Sequence, residues 1–173
     1  MSDPLDGRIG EAWAGDVPNG SHVNVVLARR GSPTAAAAAG VLGSPRPGHA
    51  PFLACLSAGT VVRPATIVVN KSTIESGAAL GPITWGAAQL GIAQGVLDAV
   101  SEGLLLPGEA GEVVLLVAVW VDPAAHDETA VRAANREAMR RAIADALHHP
   151  TADEIRALAE RREDAANAFY TGE

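Results

Sequence analysis

The chain has 173 residues, of which 48% are hydrophobic and 19% are charged, and this composition is typical of one globular domain rather than a disordered segment. The net charge of -7 argues against a nucleic-acid surface, because phosphate binding requires clustered lysine and arginine. The longest apolar run, 113–121, is far shorter than the roughly 20 residues of a membrane helix. Because the acidic N-terminus also lacks the pattern of a signal sequence, we expect a cytoplasmic protein with a single domain over residues 1–173.

The first elements in the chain are two predicted strands, residues 8–15 and 21–28, followed by an alanine-rich helix over 34–42. Successive side chains of a strand point to opposite faces. His22 and Asn24 therefore share one face at the start of the second strand. An imidazole and a carboxamide are expected side by side at one end of the sheet.

A short apolar strand around Leu53 and a longer one over residues 63–69 follow, and the second delivers Lys71 and then Thr73. Lys71 is the only lysine, and the other twelve fixed cations are arginines. An ammonium is a compact charge whose pKa shifts readily, whereas a guanidinium stays charged. The pattern is compatible with a functional lysine and equally with chance on an arginine-rich background.

A helix is predicted over residues 83–101, after a break around Gly81-Pro82. Its apolar stripe contains Gln89, and a buried amide without a partner costs about 1–3 kcal/mol. Two interpretations of Gln89 stay open, a core amide paired with the backbone and a group directed into a pocket. The stripe itself consists of Trp85, Ile92, Val96 and Val100.

The apolar run 113–121 is predicted as a central strand covered on both faces. A helix over about 123–148 begins at Asp122-Pro123, and a capping box at 151–154 opens a last helix that runs to about Phe169. Strands and helices thus alternate without a repeat or a dividing linker. We expect an α/β fold, in which a mixed β-sheet and α-helices pack as a single-domain, two-layer sandwich.

Motifs for nucleotide, metal and serine-hydrolase chemistry are absent from the sequence: there is no G-x-x-x-x-G-K-[ST], no C-x-x-C or H-x-x-x-H, and no G-x-S-x-G. The remaining candidates come from strand ends and a helix start, which can converge at one end of a sheet. They predict a polar crevice with a titratable imidazole, but no particular reaction. These candidates are His22, Asn24, Lys71, Thr73 and Gln89.

Several short segments follow the order and spacing of the formaldehyde-activating enzyme family, which the chain resembles over nearly its whole length. None of them is diagnostic alone, but the ordered set is specific. The segments are Ile9-Gly10-Glu11-Ala12, Gly15-Asp16, His22, Arg30-Gly31-Ser32-Pro33, Leu53-Ala54, Pro64, Asn70-Lys71, Thr73-Ile74, Gly86 to Gln89 and Val117-Ala118-Val119.

The resemblance implies an enzyme that condenses formaldehyde with tetrahydromethanopterin to give the methylene derivative and water. Such an enzyme is a carbon–nitrogen hydro-lyase of one-carbon metabolism and formaldehyde detoxification. The resemblance also implies an α/β homopentamer that binds the pterin co-substrate between subunits. Because the metal-ligand motifs are absent, we expect no metal ion.

The family's functional residues carry over onto five positions. The catalytic histidine falls on His22, and an imidazole with an ordinary pKa near 6.5 is suited to act as a general acid. The residues that contact the pterin fall on Leu53, Lys71, Thr73 and, after a one-residue shift, Gln89.

The chain departs from the family at several of these places. Asn24 replaces an aspartate, which removes a carboxylate beside His22. Trp85-Gly86-Ala87-Ala88-Gln89 replaces a phenylalanine-glycine-proline-alanine-glutamine segment, and Asn167-Ala168-Phe169 replaces histidine-proline-phenylalanine. These departures indicate a divergent member. They keep two alternatives open: a non-catalytic paralogue that binds a pterin or an aldehyde, and an enzyme of the same fold that condenses a different aldehyde and amine.

Overall fold

A computed structural model describes residues 5–164, and the predicted α/β class is confirmed within that range. A π-helical segment, Ile83–Ala88, joins the second helix to the third, and 3-10 turns lie at Pro107–Glu109 and Arg162–Asp164. The remaining elements in chain order are β1 (Ile9–Ala14), β2 (Ser21–Arg29), α1 (Pro33–Leu42), β3 (Phe52–Leu53), β4 (Cys55–Ser57), β5 (Thr60–Val61), β6 (Ala65–Asn70), α2 (Leu80–Pro82), α3 (Gln89–Ser101), β7 (Val113–Val121), α4 (Glu128–Leu147) and α5 (Ala152–Glu160).

Five of the strands form one mixed sheet in the order β1-β2-β7-β6-β3. The β6–β7 pair is parallel, and the other three pairs are antiparallel. β4 and β5 form a separate small hairpin. The predicted central position of 113–121 is confirmed, because β7 is the third of the five strands.

One face of the sheet is covered by the helical layer. α4 contacts both β1 and β2, and α3 packs beside α4. The contact between α4 and β1 is backbone to backbone, since a Cβ at Gly10 would lie 2.2 Å from the Ala142 carbonyl oxygen. Odd-numbered residues of β7, from Val113 to Val121, are buried under this layer together with Val23 and Val25.

The opposite face is only partly covered. Even-numbered residues of β7, from Val114 to Trp120, are half-buried, so the prediction that this strand is covered on both faces is wrong. α1 lies on this side: it contacts β2, β7 and β6, and its Val41 lines a cavity together with Val69 and Lys71. The apolar run therefore serves two purposes, a core on one face and cavity walls on the other.

Helices α3 and α4 run parallel, because three successive polar contacts between them each join residues that are 38 positions apart in the chain. Arg136 forms a two-pronged ion pair with Asp98, with N–O distances of 2.5 and 2.7 Å, and this hydrogen bonding lowers the pKa of Asp98. The pairs flanking it are Gln94 with Arg132 at 3.0 Å and Glu102 with Arg140 at 3.3 Å.

The sequence located some helix ends correctly and misplaced others. Ser32 caps α1 by accepting the Ala35 N–H at 3.0 Å, and the capping box of Thr151 and Glu154 is present. α4 begins at Glu128 and not at 123, because Asp127 caps it while Asp122 accepts the Ala124 N–H in a preceding turn. The predicted break near residue 81 is also wrong, since α2 continues through the π-helical segment into α3.

The last helix, α5, ends at Glu160, and the part of the prediction beyond residue 164 lies outside the described residues. Across residues 5–164, no helix combines the length and the apolar character that crossing a bilayer requires.

Asp6 ties the N-terminal segment to α1, and this contact predicts an acid-sensitive contribution to stability. The Arg29 N–H at 2.8 Å, and the Ser32 and Thr34 hydroxyls at 2.7 and 3.1 Å, all donate to its carboxylate. These hydrogen bonds, with that of Arg29 first, lower the pKa of Asp6. Because the folded pKa lies below the unfolded value of about 3.9, the stabilisation is present above that pH and is lost as pH falls through the folded pKa.

We therefore expect Asp6→Asn to lower the urea midpoint at pH 7 and to differ less from the unmodified chain at pH 3. Asp16→Asn is the matched control, because this substitution removes the same charge from an exposed side chain. An Asp6→Asn effect that is equal at both pH values would contradict this role of the carboxylate.

Candidate active site

A row of four side chains crosses the partly covered face of the sheet, which is opposite α4 and is called the open face below. The strand register places Trp13 opposite His22 and His22 opposite Trp120, and the Lys71 N–H donates to the Val119 carbonyl at 2.7 Å, which extends the row beyond β6. Paired residues point to the same face, here the face away from α4. The four side chains line one cavity of about 310 Å³. The predicted convergence of His22 and Lys71 thus has a structural basis in the register.

His22 lies between the carboxylate of Glu11 and the ammonium group of Lys71. Its Nε2 is 2.6 Å from Glu11 Oε2, and its Nδ1 is 3.0 Å from Lys71 Nζ. An ammonium has only donors, so Lys71 donates to Nδ1, and the ring proton belongs on Nε2, where it is donated to Glu11. This network assigns a neutral imidazole between a cation and an anion.

The Lys71 ammonium is half-buried at the wall of the cavity. Burial lowers the pKa of Lys71, and the negative charge of Glu11 partly opposes that effect. A lysine of lowered pKa gives up a proton more easily, so Lys71 can pass one to His22 across their hydrogen bond. Among residues 5–164, no group of three or more His, Cys, Asp or Glu side chains is placed to hold a metal ion.

Two indole rings form the apolar walls of the cavity. The ring centroids of Trp13 and Trp120 are 5.5 Å apart, and those of Trp13 and His22 are 6.5 Å apart. Trp13 Nε1–H donates to the Gly15 carbonyl at 3.0 Å, which fixes the orientation of its ring. Flat, largely apolar walls with a few polar groups suit a planar heterocyclic ligand.

Asn24 and Leu53 lie on the same face as His22, outside the row. Asn24 is opposite Glu11 in the register, and Leu53 pairs with Ile67 at the edge of the sheet. The lining of the cavity includes neither of them. Since Glu11 contacts His22 directly, the asparagine at position 24 does not deprive the histidine of a neighbouring carboxylate.

Thr73 is exposed, two residues beyond Lys71. Its hydroxyl lies 3.3 Å from His49 Nε2, and it is not part of the lining of the His22 cavity. The predicted threonine is therefore near the lysine in the chain but belongs to the neighbouring loop.

Gln89 is not brought to His22 within one chain. It begins α3, which packs beside α4 in the layer on the other face of the sheet. Its side-chain amide donates to the Trp85 carbonyl at 2.9 Å, as the backbone-paired interpretation expects. Trp85 is 43% exposed, however, so the predicted apolar stripe does not include it, whereas Ile92 and Val96 are fully buried.

Three groups of the site were not predicted from the sequence: Glu11, Trp13 and Trp120. Glu11 and Trp13 are two positions apart on β1, and Trp120 is near the end of β7. The alternation of side chains along β1 and its short connection to β2 were the features of the sequence that could have indicated this placement. Only the register shows that these residues face His22.

A model of the family described as "Formaldehyde-activating enzyme (Fae)" matches residues 9–169. The chain is 36% identical to the 5,6,7,8-tetrahydromethanopterin hydro-lyase of Methanosarcina barkeri, and the match covers 94% of the chain and 89% of that protein.

Two longer proteins named "Bifunctional enzyme Fae/Hps" are also similar. The one from Methanothrix thermoacetophila is 31% identical over 85% of the chain, and the one from Methanosphaera stadtmanae is 32% identical over 93%. The chain spans only 38% and 39% of their lengths. The match of the family model over nearly the whole chain, together with the similarity to the hydro-lyase, shows that the chain belongs to the formaldehyde-activating enzyme family.

Proposed function

We propose that this chain is a hydro-lyase that condenses formaldehyde with tetrahydromethanopterin, or a closely related reduced pterin, to the methylene derivative and water. The observation that supports it best is the Glu11–His22–Lys71 chain of hydrogen bonds at the wall of a tryptophan-lined cavity. The name of the Methanosarcina barkeri relative supports the same reaction.

His22 is the proton donor in this proposal. One amine of the pterin adds to formaldehyde and forms a carbinolamine with a new C–N bond. His22 then protonates the hydroxyl group, the C–O bond breaks, and water leaves. The second amine adds to the resulting iminium carbon and returns a proton, so the overall reaction consumes formaldehyde and two N–H bonds and releases one water.

Glu11 and Lys71 prepare His22 for this step. Glu11 holds the ring by accepting from Nε2, and its charge stabilises the imidazolium that forms when Nδ1 gains a proton. Lys71 supplies that proton along the 3.0 Å contact, and its lowered pKa reduces the cost of the transfer. The indoles of Trp13 and Trp120 hold the pterin ring so that both amines reach the same carbon.

We expect Glu11→Gln to lower kcat by about 10- to 100-fold, because a hydrogen bond to a charged group contributes about 1.5–3 kcal/mol. The KM values should stay nearly unchanged, since Glu11 is not among the residues that line the cavity. Stability should change little, because the side chain of Glu11 is 62% exposed. Glu75→Gln, which removes the same charge from another exposed side chain, is the control. Wild-type kcat in Glu11→Gln would exclude the role given to Glu11.

The active unit in this proposal is a homo-oligomer, and the family resemblance indicates a pentamer with the pterin between subunits. The distribution of the pterin-contacting positions supports it: His22 and Lys71 are on the open face, whereas Gln89 begins a helix of the other layer. A second copy is needed to bring such a residue to the cavity. Light scattering should give the mass of five copies of the 17.6 kDa chain, and a monomer would overturn this part of the proposal.

One assay tests the proposed reaction. Purified protein is mixed with formaldehyde and tetrahydromethanopterin, and formation of the methylene derivative is compared with the spontaneous rate. Acceleration is the expected result. Tight binding of the pterin without acceleration would point to a binding protein, and the absence of both would point to a different aldehyde and amine.

A further inference from the structure

A second cavity lies beside the His22 cavity, and Lys71 belongs to the walls of both. Its volume is about 460 Å³. Lys71 thus stands where a ligand in the first cavity would extend into the second. The other lining residues are Val41, Ser44, Arg46, His49, Pro51 and Val69.

The charge of this second cavity is opposite to that of the whole chain. Of the described residues, two fixed cations, Arg46 and Lys71, line it and no aspartate or glutamate does, although the net charge of the whole chain is -7. Arg46 is exposed, and within residues 5–164 its guanidinium has no hydrogen-bonding or ion-pair partner. A guanidinium presents a planar fork of N–H donors that matches a carboxylate or a phosphate. The second cavity is therefore suited to an anionic group.

The loop that carries Arg46 is anchored to the end of β6. Asn70 donates its side-chain N–H to the Gly48 carbonyl at 2.6 Å, and the ring Nδ1–H of His49 donates to the Asn70 carbonyl at 2.8 Å. Arg46 and His49 also exchange backbone hydrogen bonds of 3.2 and 2.9 Å. The backbone at Arg46 is thus held at a fixed place relative to Lys71, which makes the cavity a built feature of the fold.

We propose that the second cavity binds a carboxylate or phosphate on the side chain of the acceptor amine, with Arg46 as its main ligand. This inference rests on the proposed function, in which the reacting ring of the acceptor occupies the His22 cavity. Val41, Pro51 and Val69 offer apolar contacts to the part of the side chain between the ring and the anion. Arg46 then determines specificity, because an acceptor without an anionic side chain gains nothing from it.

The test measures binding without turnover. Trp13 and Trp120 line the His22 cavity, so a bound acceptor should change the tryptophan fluorescence. We expect Arg46→Gln to raise the Kd of tetrahydromethanopterin at least tenfold, the size expected for losing a charged hydrogen bond. The Kd of 6-methyltetrahydropterin, which has no anionic side chain, should change less than about twofold.

Arg63→Gln is the matched control, since Arg63 is an exposed arginine that precedes β6 at its opposite end. It should leave both Kd values unchanged. An unchanged Kd in Arg46→Gln, or equal changes for both pterins, would overturn the proposal. So would inorganic phosphate that binds without competing with tetrahydromethanopterin, because the site would then belong to a free anion. Binding that depends on Arg46 in a protein without catalytic activity would support this site and reject the proposed reaction.

Discussion

Replacing His22 with glutamine is expected to lower kcat for methylene formation by about 100- to 10,000-fold, the usual contribution of a general acid. Glutamine keeps a polar side chain of similar length but cannot deliver a proton. Among the described residues that line this cavity, His22 carries the only imidazole. The measurement is the enzymatic rate above the spontaneous reaction at saturating pterin.

Binding and folding should survive this substitution. His22 is at the partly open end of the sheet, with 34% of its side chain exposed, so little packing is lost. His126→Gln is the control, because His126 is exposed and outside the cavity. It should keep full activity. A His22→Gln protein with the kcat of the unmodified chain would show that the proton comes from another group.

Replacing Gly95 with alanine is expected to destabilise the protein by about 1–3 kcal/mol, the usual cost of overpacking. A Cβ there would lie 2.4 Å from the Arg136 carbonyl oxygen and 2.8 Å from the Met139 Cβ. Gly91, one turn earlier, meets the Arg132 carbonyl oxygen at 2.3 Å in the same way. The backbones of α3 and α4 are therefore in direct contact. Neither helix can move away from the other without disturbing the polar pairs between them, such as Asp98 with Arg136.

The control is Gly86→Ala, where a Cβ would meet no atom within 4 Å. Alanine favours a helix over glycine by about 0.5–1 kcal/mol, so this variant should keep or gain stability while Gly95→Ala loses it. Thermal unfolding of both at one protein concentration measures the difference, because an oligomer has a concentration-dependent Tm. Equal Tm values for the two variants would show that α3 can shift away from α4 at little cost.

The positions of the main strands could be predicted from the sequence because turn residues bound them and their side chains alternate. The environment of β7 could not. A run of nine apolar residues has the same pattern whether both faces are core or one face lines cavities. The start of α4 was misplaced for a different reason, since Asp122 and Asp127 are both suitable caps and only the surrounding turn decides between them.

Site residues could be predicted from the sequence where their position in a single strand determines their place. They could not be predicted where their place depends on how two strands pair. His22 and Lys71 could be chosen because each stands at a strand end. Glu11 could not, because its contact with His22 depends on the register of β1 against β2. Gln89 was chosen as an amide inside the apolar stripe of a helix, and such a stripe does not indicate which face of the sheet the helix covers.

In the sheet order β1-β2-β7-β6-β3, the strand that joins the two halves is the last of them to be synthesised. Until residue 121 has left the ribosome, β2 and β6 have no common neighbour, and each presents an open edge that can pair with another chain. Arrival of β7 closes both edges and, in the same event, places Lys71 beside His22. Pairing of this one strand thus closes the two inner edges of the sheet and completes the Glu11–His22–Lys71 contacts of the candidate site.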